Sequence, residues 1–175
     1  ELHSLRPGDD ILVEGVTYPG LFLPGIFQAT ATRVGHAELP PAVKVTYDDL
    51  LAARFHYERV ELSGIVRSVA WQQPRACVLL VVAVGARKLD VEIVVPGVTN
   101  LPPLVDARVR VAGLAGGYIN ARRQLRSPEL LVSRLEDLQV ESPPPADAFT
   151  APLTASAAFR HRQRTYPPAP GAVRT

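Results

Sequence analysis

The feature that most constrains this chain is a strand that changes phase part-way along. Arg59-Val60-Glu61-Leu62-Ser63 alternates polar and apolar side chains, as a strand with one face in a core must. At Gly64 the phase slips, and the run then continues through Ile65-Val66-Arg67-Ser68-Val69-Ala70-Trp71. A strand whose alternation breaks at a glycine bulges or bends, and can then pair in two directions along its length. The opening strand of a small closed barrel has to do this.

The next stretch of chain divides into four more strands. Arg75 to Val84 is almost wholly apolar, as a strand covered on both sides would be. Gly85-Ala86-Arg87 turns the chain into Lys88-Leu89-Asp90-Val91-Glu92-Ile93-Val94-Val95, which alternates strictly and ends at Pro96-Gly97. The connector from Val98 to Leu104, with Pro102-Pro103, is too short and proline-rich for a helix. A fourth strand is expected from Ala107 to Gly113, with Arg108 and Arg110 facing outward. A loop from Leu114 to Pro128 then leads to a fifth strand around Leu130 to Val140. Five short strands in this order between Glu58 and Val140 predict an all-β fold, a five-stranded OB-like Greek-key barrel.

Ahead of the barrel, Arg6-Pro7-Gly8-Asp9 reads as a turn, Asp10 to Thr17 as a strand, and Phe27 to Val34 as a second strand. Two strands do not form an independent unit. The segment either packs on the barrel or is the end of a second one, and an internal repeat favours the latter. Arg6 to Gly15 matches Leu104 to Gly113 in pattern: an acidic turn, an alternating strand, a closing glycine and later a proline-bearing exit, Leu39-Pro40-Pro41 in one and Ser142-Pro143-Pro144-Pro145 in the other. The one clear helix is Thr46 to Arg54, with Thr46 as N-cap and acidic residues in the first turn; it is too short to be more than a plug or connector. The expected division is therefore 1–43, the last two strands of a truncated OB-like unit; 44–142, the complete barrel with its helix; and 143–175, a Pro/Ala-rich wrap and tail.

Composition agrees with a β-rich chain. Among 175 residues are 17 prolines and 12 glycines, and the 47% hydrophobic content is enough for one good core and part of another. A net charge of +2 demands no polyanionic partner. The single cysteine, Cys77, lies in an apolar run and reads as a core thiol, so no intrachain disulfide is expected. No stretch approaches the roughly 20 apolar residues of a membrane span. The chain contains no methionine and is read as a processed or excised piece, with any signal or anchor outside it.

OB-like barrels bind ligands on the face of strands two and three, walled by the loops joining strands one to two and four to five. The first loop offers Trp71, Gln72, Gln73 and Arg75, and the second Tyr118, Asn120, Arg122, Arg123, Gln124 and Arg126. An aromatic ring, amides and guanidinium groups from both sides could hold a carboxylate, a sugar or a base. The plainer reading is solvated loop residues, with Asn120 shaping a turn and Trp71 capping the barrel end. Nucleic acid is a poor fit, because the central strands present Lys88, Asp90 and Glu92 and no aromatic on which a base could stack. His3, His36, His56 and His161 lack ligand spacing, and no phosphate loop or activated nucleophile is apparent. No metal, cofactor or catalytic residue is expected, and the chain is read as a non-enzyme. The basic run Arg160-His161-Arg162-Gln163-Arg164 is either a solvated tail or a stretch near an anionic surface.

The pattern resembles tandem OB-like repeats in the extracytoplasmic sensor regions of bacterial, acidobacterial-type, membrane-anchored sensor histidine kinases. The residues that carry the resemblance are Gly8-Asp9, Val13-Glu14-Gly15-Val16-Thr17, Pro19-Gly20, Phe22-Leu23-Pro24, Leu39-Pro40 and Tyr47-Asp48-Asp49-Leu50. Further on they are Val60-Glu61-Leu62-Ser63-Gly64-Ile65-Val66-Arg67-Ser68-Val69, the stretch from Leu104 to Gly113, Asn120 with Arg123-Gln124-Leu125, and Pro144 with Ala146-Asp147-Ala148-Phe149. These are turns and strands, specific for fold and weak for function. The resemblance implies a periplasmic input module of a two-component signalling protein. Its partner would be a small ligand or a protein, and it would meet a membrane only through segments outside this chain. A single-stranded nucleic-acid binder and a structural spacer are the alternatives.

Overall fold

The structure is a computed structural model that describes residues 5–20, 22–72, 77–94 and 100–146. The described residues up to Pro145 form one compact unit. Two strands come first, β1 (Asp9–Tyr18) and β2 (Gly25–His36), followed by β3 (Val43–Lys44) and a short helix α1 (Tyr47–Leu51). The barrel strands are β4 (Arg59–Gln72), β5 (Cys77–Val84), β6 (Arg87–Ile93), β7 (Arg108–Ile119) and β8 (Leu125–Val132). A 3-10 turn at Leu135–Asp137 then leads into β9 (Leu138–Ser142).

β4 closes the barrel. Its first half, Arg59 to Ile65, pairs antiparallel with β7, and its second half, Ile65 to Gln72, pairs antiparallel with β5. The circuit runs β4-β5-β6-β8-β7 and back to β4, with β6 and β8 parallel and the other pairs antiparallel. This is the all-β, OB-like barrel that the strand pattern predicts. The device that turns the strand lies elsewhere than expected, however. Burial alternates without a break through Gly64 as far as Val66, and the irregularity in the β5 pairing falls between Val66 and Ser68, leaving Arg67 as the bulge. Gly64 has a different task. A Cβ there would stand 2.5 Å from Val82 Cγ1 and 2.6 Å from the Ala83 carbonyl oxygen. Glycine thus lets β5 come close where β4 leaves one neighbour for the other, and Arg67, tied to Asp106 at 2.8 Å, absorbs the extra residue.

Every barrel strand contributes to one core: Val60, Leu62 and Val66 from β4, Val78, Leu80 and Val82 from β5, and Leu89, Val91 and Ile93 from β6. β7 adds Val109, Val111 and Ala115, and β8 adds Leu130 and Val132. Each fully buried Leu, Ile or Val is worth about 1.5–3 kcal/mol in transfer free energy. α1 acts as a plug. Thr46 Oγ1 accepts the Asp49 amide at 3.2 Å while Asp49 Oδ2 accepts the Thr46 amide at 3.0 Å, a reciprocal cap that fixes the helix start. Leu50 then enters the core, with Tyr47 and Phe55 packed against it.

The fourth and fifth barrel strands extend differently from the sequence expectation. β7 runs on to Ile119 and β8 begins at Leu125, so most of the loop expected from 114 to 128 is a hairpin. The fifth strand ends at Val132, and Leu138–Ser142 is a separate strand beside β7. Gly117, inside the expected loop, and Gly113, at the expected strand end, both occupy close-packed strand positions: a Cβ would lie 2.4 Å from Leu125 Cδ1 at the first and 2.6 Å from the Leu131 carbonyl oxygen at the second.

β1 and β2 form a two-stranded antiparallel sheet of their own, and β2 is two residues longer at each end than expected. The turn leading into β1 has the geometry of the turn leading into β7. The Asp9 amide donates to the Arg6 carbonyl at 3.0 Å and the Ala107 amide to the Leu104 carbonyl at 2.9 Å. Gly8 and Asp106, at corresponding places, both have positive φ, 94° and 66°.

Candidate functional site

The described residues at the barrel end where the sequence places a site lie mostly in strands and one short turn. Trp71 and Gln72 are the last residues of β4 rather than loop residues, and Gln73 and Arg75 lie outside the described residues. Trp71 pairs opposite the core residue Val78, whereas Gln72 pairs opposite Cys77 on the other face. Gln72, Cys77, Leu79, Glu92 and Tyr118 line a hollow of about 60 Å³, too small for more than a water or two, and Trp71 is not part of it. Cys77 is buried.

The second predicted loop is a five-residue turn held by its own side chains. Asn120 Oδ1 accepts the amides of Arg122 (2.9 Å) and Gln124 (3.0 Å), while Asn120 Nδ2 donates to Gln124 Oε1 at 3.0 Å. Arg123 has φ of 62° and donates through Nη2 to the Gly20 carbonyl at 2.8 Å, tying the β7–β8 turn to the β1–β2 ribbon. Asn120, Gln124 and Arg123 therefore have structural work. Arg122 and Arg126 are exposed, and Tyr118 is half-exposed beside the hollow.

The outer face of β6 and β8 is acidic. Asp90 pairs directly with Glu129, and Glu92 lies two residues further along β6. Glu129 is 9% exposed. Burial, the neighbouring Glu92 and Asp90 charges, and a hydrogen bond to Glu92 all push its carboxyl above the usual carboxylate range. A phosphate backbone would be repelled from this face.

The larger concavity lies elsewhere, where the N-terminal linker crosses β4, β7 and β8. Pro7, Leu39, Pro40, Tyr57, Gly113, Leu114 and Leu131 form its apolar walls, Arg59, Ser133 and Asp137 its polar part, and it encloses about 360 Å³. That is within the range of small-molecule sites, roughly 300–1,000 Å³. Leu114 and Leu131 pair opposite each other and stay 39% and 36% exposed, an apolar floor left open to solvent. Arg59 is fixed on both sides, with Nη2 2.6 Å from Asp137 Oδ1 and Nη1 donating to the Pro40 carbonyl at 2.8 Å. Tyr57 is held at φ of 64°, a left-handed conformation unusual for an aromatic residue. The β4–β7 ladder imposes it: the Tyr57 amide donates to the Ala115 carbonyl at 2.8 Å, and the Ala115 amide to the Glu58 carbonyl at 2.9 Å. The Tyr57 ring also lies against that of His56, 4.4 Å away and tilted by 46°, and the His56 ring meets Phe22 edge-on at 5.0 Å. Burial holds the His56 pKa below its ordinary value, so the ring is neutral at pH 7.

None of the cleft residues is among the sites expected from sequence. The available signals are the aromatic run Phe55-His56-Tyr57 just before a strand, and Leu114 and Leu131 at outward-facing strand positions.

No family model matches the chain, and no curated protein matches it. Among solved structures it is similar to the aspartyl tRNA synthetase from Entamoeba histolytica, at 11% sequence identity and a TM-score of 0.41, over 61% of this chain and 25% of that one. The chain thus spans about a quarter of the length of that structure.

Proposed function

We propose that this chain is a non-enzymatic ligand-binding module that takes a neutral, mainly apolar small molecule in the cleft beside Tyr57. The observation that carries this reading is the cleft: an apolar pocket of about 360 Å³ with an aromatic side chain held at a strained backbone position on its wall. Arg59 and Asp137 neutralise each other at 2.6 Å, so the polar end offers hydrogen bonds without a net charge. This arrangement suits holding a ligand rather than moving its protons. The sensory, two-component and periplasmic parts of the reading rest on the resemblance of residues 6–160 to extracytoplasmic sensor repeats. OB-like ligand recognition at the acidic β6–β8 face would require a cationic group, and nucleic acid is disfavoured there by charge.

The test is a melting-temperature screen against neutral apolar metabolites, with single-stranded oligonucleotides as a second arm at low and moderate salt. A ligand that binds the native state at one hundred times its Kd stabilises it by about 2.7 kcal/mol. Tyr57→Gly relaxes the backbone while removing the ring, so it is expected to keep or raise the unliganded melting temperature and to weaken binding at least tenfold. Salt-sensitive oligonucleotide binding with no response to any metabolite would overturn the reading in favour of the nucleic-acid alternative.

A further inference from the structure

The cleft beside Tyr57 has a polar neighbour. Arg59 and Asp137, which form part of its wall, also line a second hollow of about 160 Å³ together with Glu61, Arg110, Ala112 and Gln139. The strand register explains why the two adjoin. Arg59 pairs with Leu114, Glu61 with Ala112 and Ser63 with Arg110, and side chains two residues apart on a strand share a face, about 7 Å from one another. Leu114 belongs to the floor of the cleft, so the polar hollow occupies the next rows of the same outward sheet face. Gln139 completes it from β9, opposite Arg110. A third concavity of about 260 Å³, beside Lys44, Ser63 and Glu141, shares Glu61 and Arg110 with the second.

Glu61 is the side chain that the fold leaves unsatisfied. It is only 19% exposed, yet its carboxylate accepts no hydrogen bond from the described residues; the Lys44 ammonium stands 4.0 Å away and is itself 85% exposed. The other carboxylates here are engaged: Asp137 accepts from Arg59 at 2.6 Å, and Glu141 from Ser63 and Arg108 at 3.1 Å each. A carboxylate drawn largely out of water without donors is costly, so a ligand that brings donors gains most at Glu61. Across from it Arg110 donates through Nη2 to Gln139 Oε1 at 2.7 Å, while the Gln139 amide nitrogen donates to none of the described residues. Lys44, Arg59 and Arg110 balance Glu61, Asp137 and Glu141, so the hollows favour neither an anion nor a cation. What matches is a neutral group with neighbouring hydroxyls, each able to donate to a carboxylate and accept from a guanidinium or an amide. We infer that the ligand is a glycoside, with its apolar part in the Tyr57 cleft and its sugar over Glu61, Arg110 and Gln139. The apolar half of this assignment rests on the cleft reading above; the sugar half stands on Glu61.

Titration of the ¹⁵N-labelled full chain with phenyl β-D-glucopyranoside, phenyl β-D-galactopyranoside and phenol tests this. A phenyl glycoside is expected to move the Glu61, Arg110 and Gln139 amides together with those of Tyr57 and Leu114. It should bind about tenfold more tightly than phenol, as hydrogen bonds to a charged acceptor allow. Glu61→Gln should cut that advantage about fivefold, because a neutral acceptor holds a hydroxyl less strongly, and should keep or raise the melting temperature. Tyr57→Gly should instead weaken phenol and phenyl glycoside alike. Glycosides that bind no more tightly than phenol, that move the cleft amides alone, or whose advantage survives Glu61→Gln would overturn the inference and leave the cleft standing. A glycoside that moves only the Glu61, Arg110 and Gln139 amides would uphold the sugar site and overturn the cleft reading. No response to any of the three compounds at either set of amides would overturn both.

Discussion

At the scale of single residues, the side chains with the most consequence are those in costly places. Glu129 is a nearly buried carboxyl facing Asp90 and Glu92, and its pKa is raised by burial first and by those charges second. A raised carboxyl pKa means the folded state holds the proton more tightly than the unfolded one. Stability from this group is therefore greatest below the ordinary value of 4.5, and it is lost as pH rises through the folded pKa. Glu129→Gln is expected to raise the melting temperature at pH 7 by a few degrees and to flatten the decline of stability above pH 4.5. An unchanged pH profile in calorimetry would show that the fold does not raise the Glu129 pKa. This cluster is half legible in the sequence. Asp90 and Glu92 stand out on a strictly alternating strand, but Glu129 falls between the expected loop and the expected fifth strand, and only the parallel pairing of β6 and β8 brings it beside them. The cleft is less legible still, because Tyr57 and Leu131 come together only through the closure of β4 on β7.

At the scale of elements, β4 is the piece on which closure depends. It is legible in the sequence because alternation and glycine are local signals. Its bulge lies at Arg67 rather than Gly64, because a glycine that permits close approach and a residue that forms a bulge leave nearly the same trace in a one-dimensional pattern. Gly64→Ala separates the two roles. Its new methyl would strike Val82 and the Ala83 carbonyl, with an expected cost of about 3 kcal/mol, the upper end of the overpacking range. Gly116→Ala is the control, since its Cβ would meet nothing nearer than 4.0 Å and the change should be close to neutral. Equal losses in chemical denaturation of the two variants would mean that the tight β4–β5 approach does not matter. The β7–β8 hairpin reads as a loop for a related reason: glycines that allow strands to twist and pack look the same as glycines that break them. The helix is plain in the sequence because its cap is a short-range motif, Thr46 with Asp49 three residues on.

At the scale of the whole molecule, the chain combines a closed barrel that buries its apolar side chains with a ribbon that does not. The open apolar surface of the barrel includes the cleft between the N-terminal linker and β4, β7 and β8. The ligand site proposed above is the Tyr57 cleft; the Asn120 and Gln124 side chains of the β7–β8 turn bond to each other. The most direct test is a ¹H–¹⁵N correlation spectrum of the labelled chain, titrated with whichever metabolite gives the largest melting shift. The expected result is saturable movement of the Tyr57, Arg59, Gly113, Leu114 and Leu131 amides, with residues 120–124 unmoved. Perturbation confined to Trp71 and residues 118–126, with the cleft amides still, would contradict it.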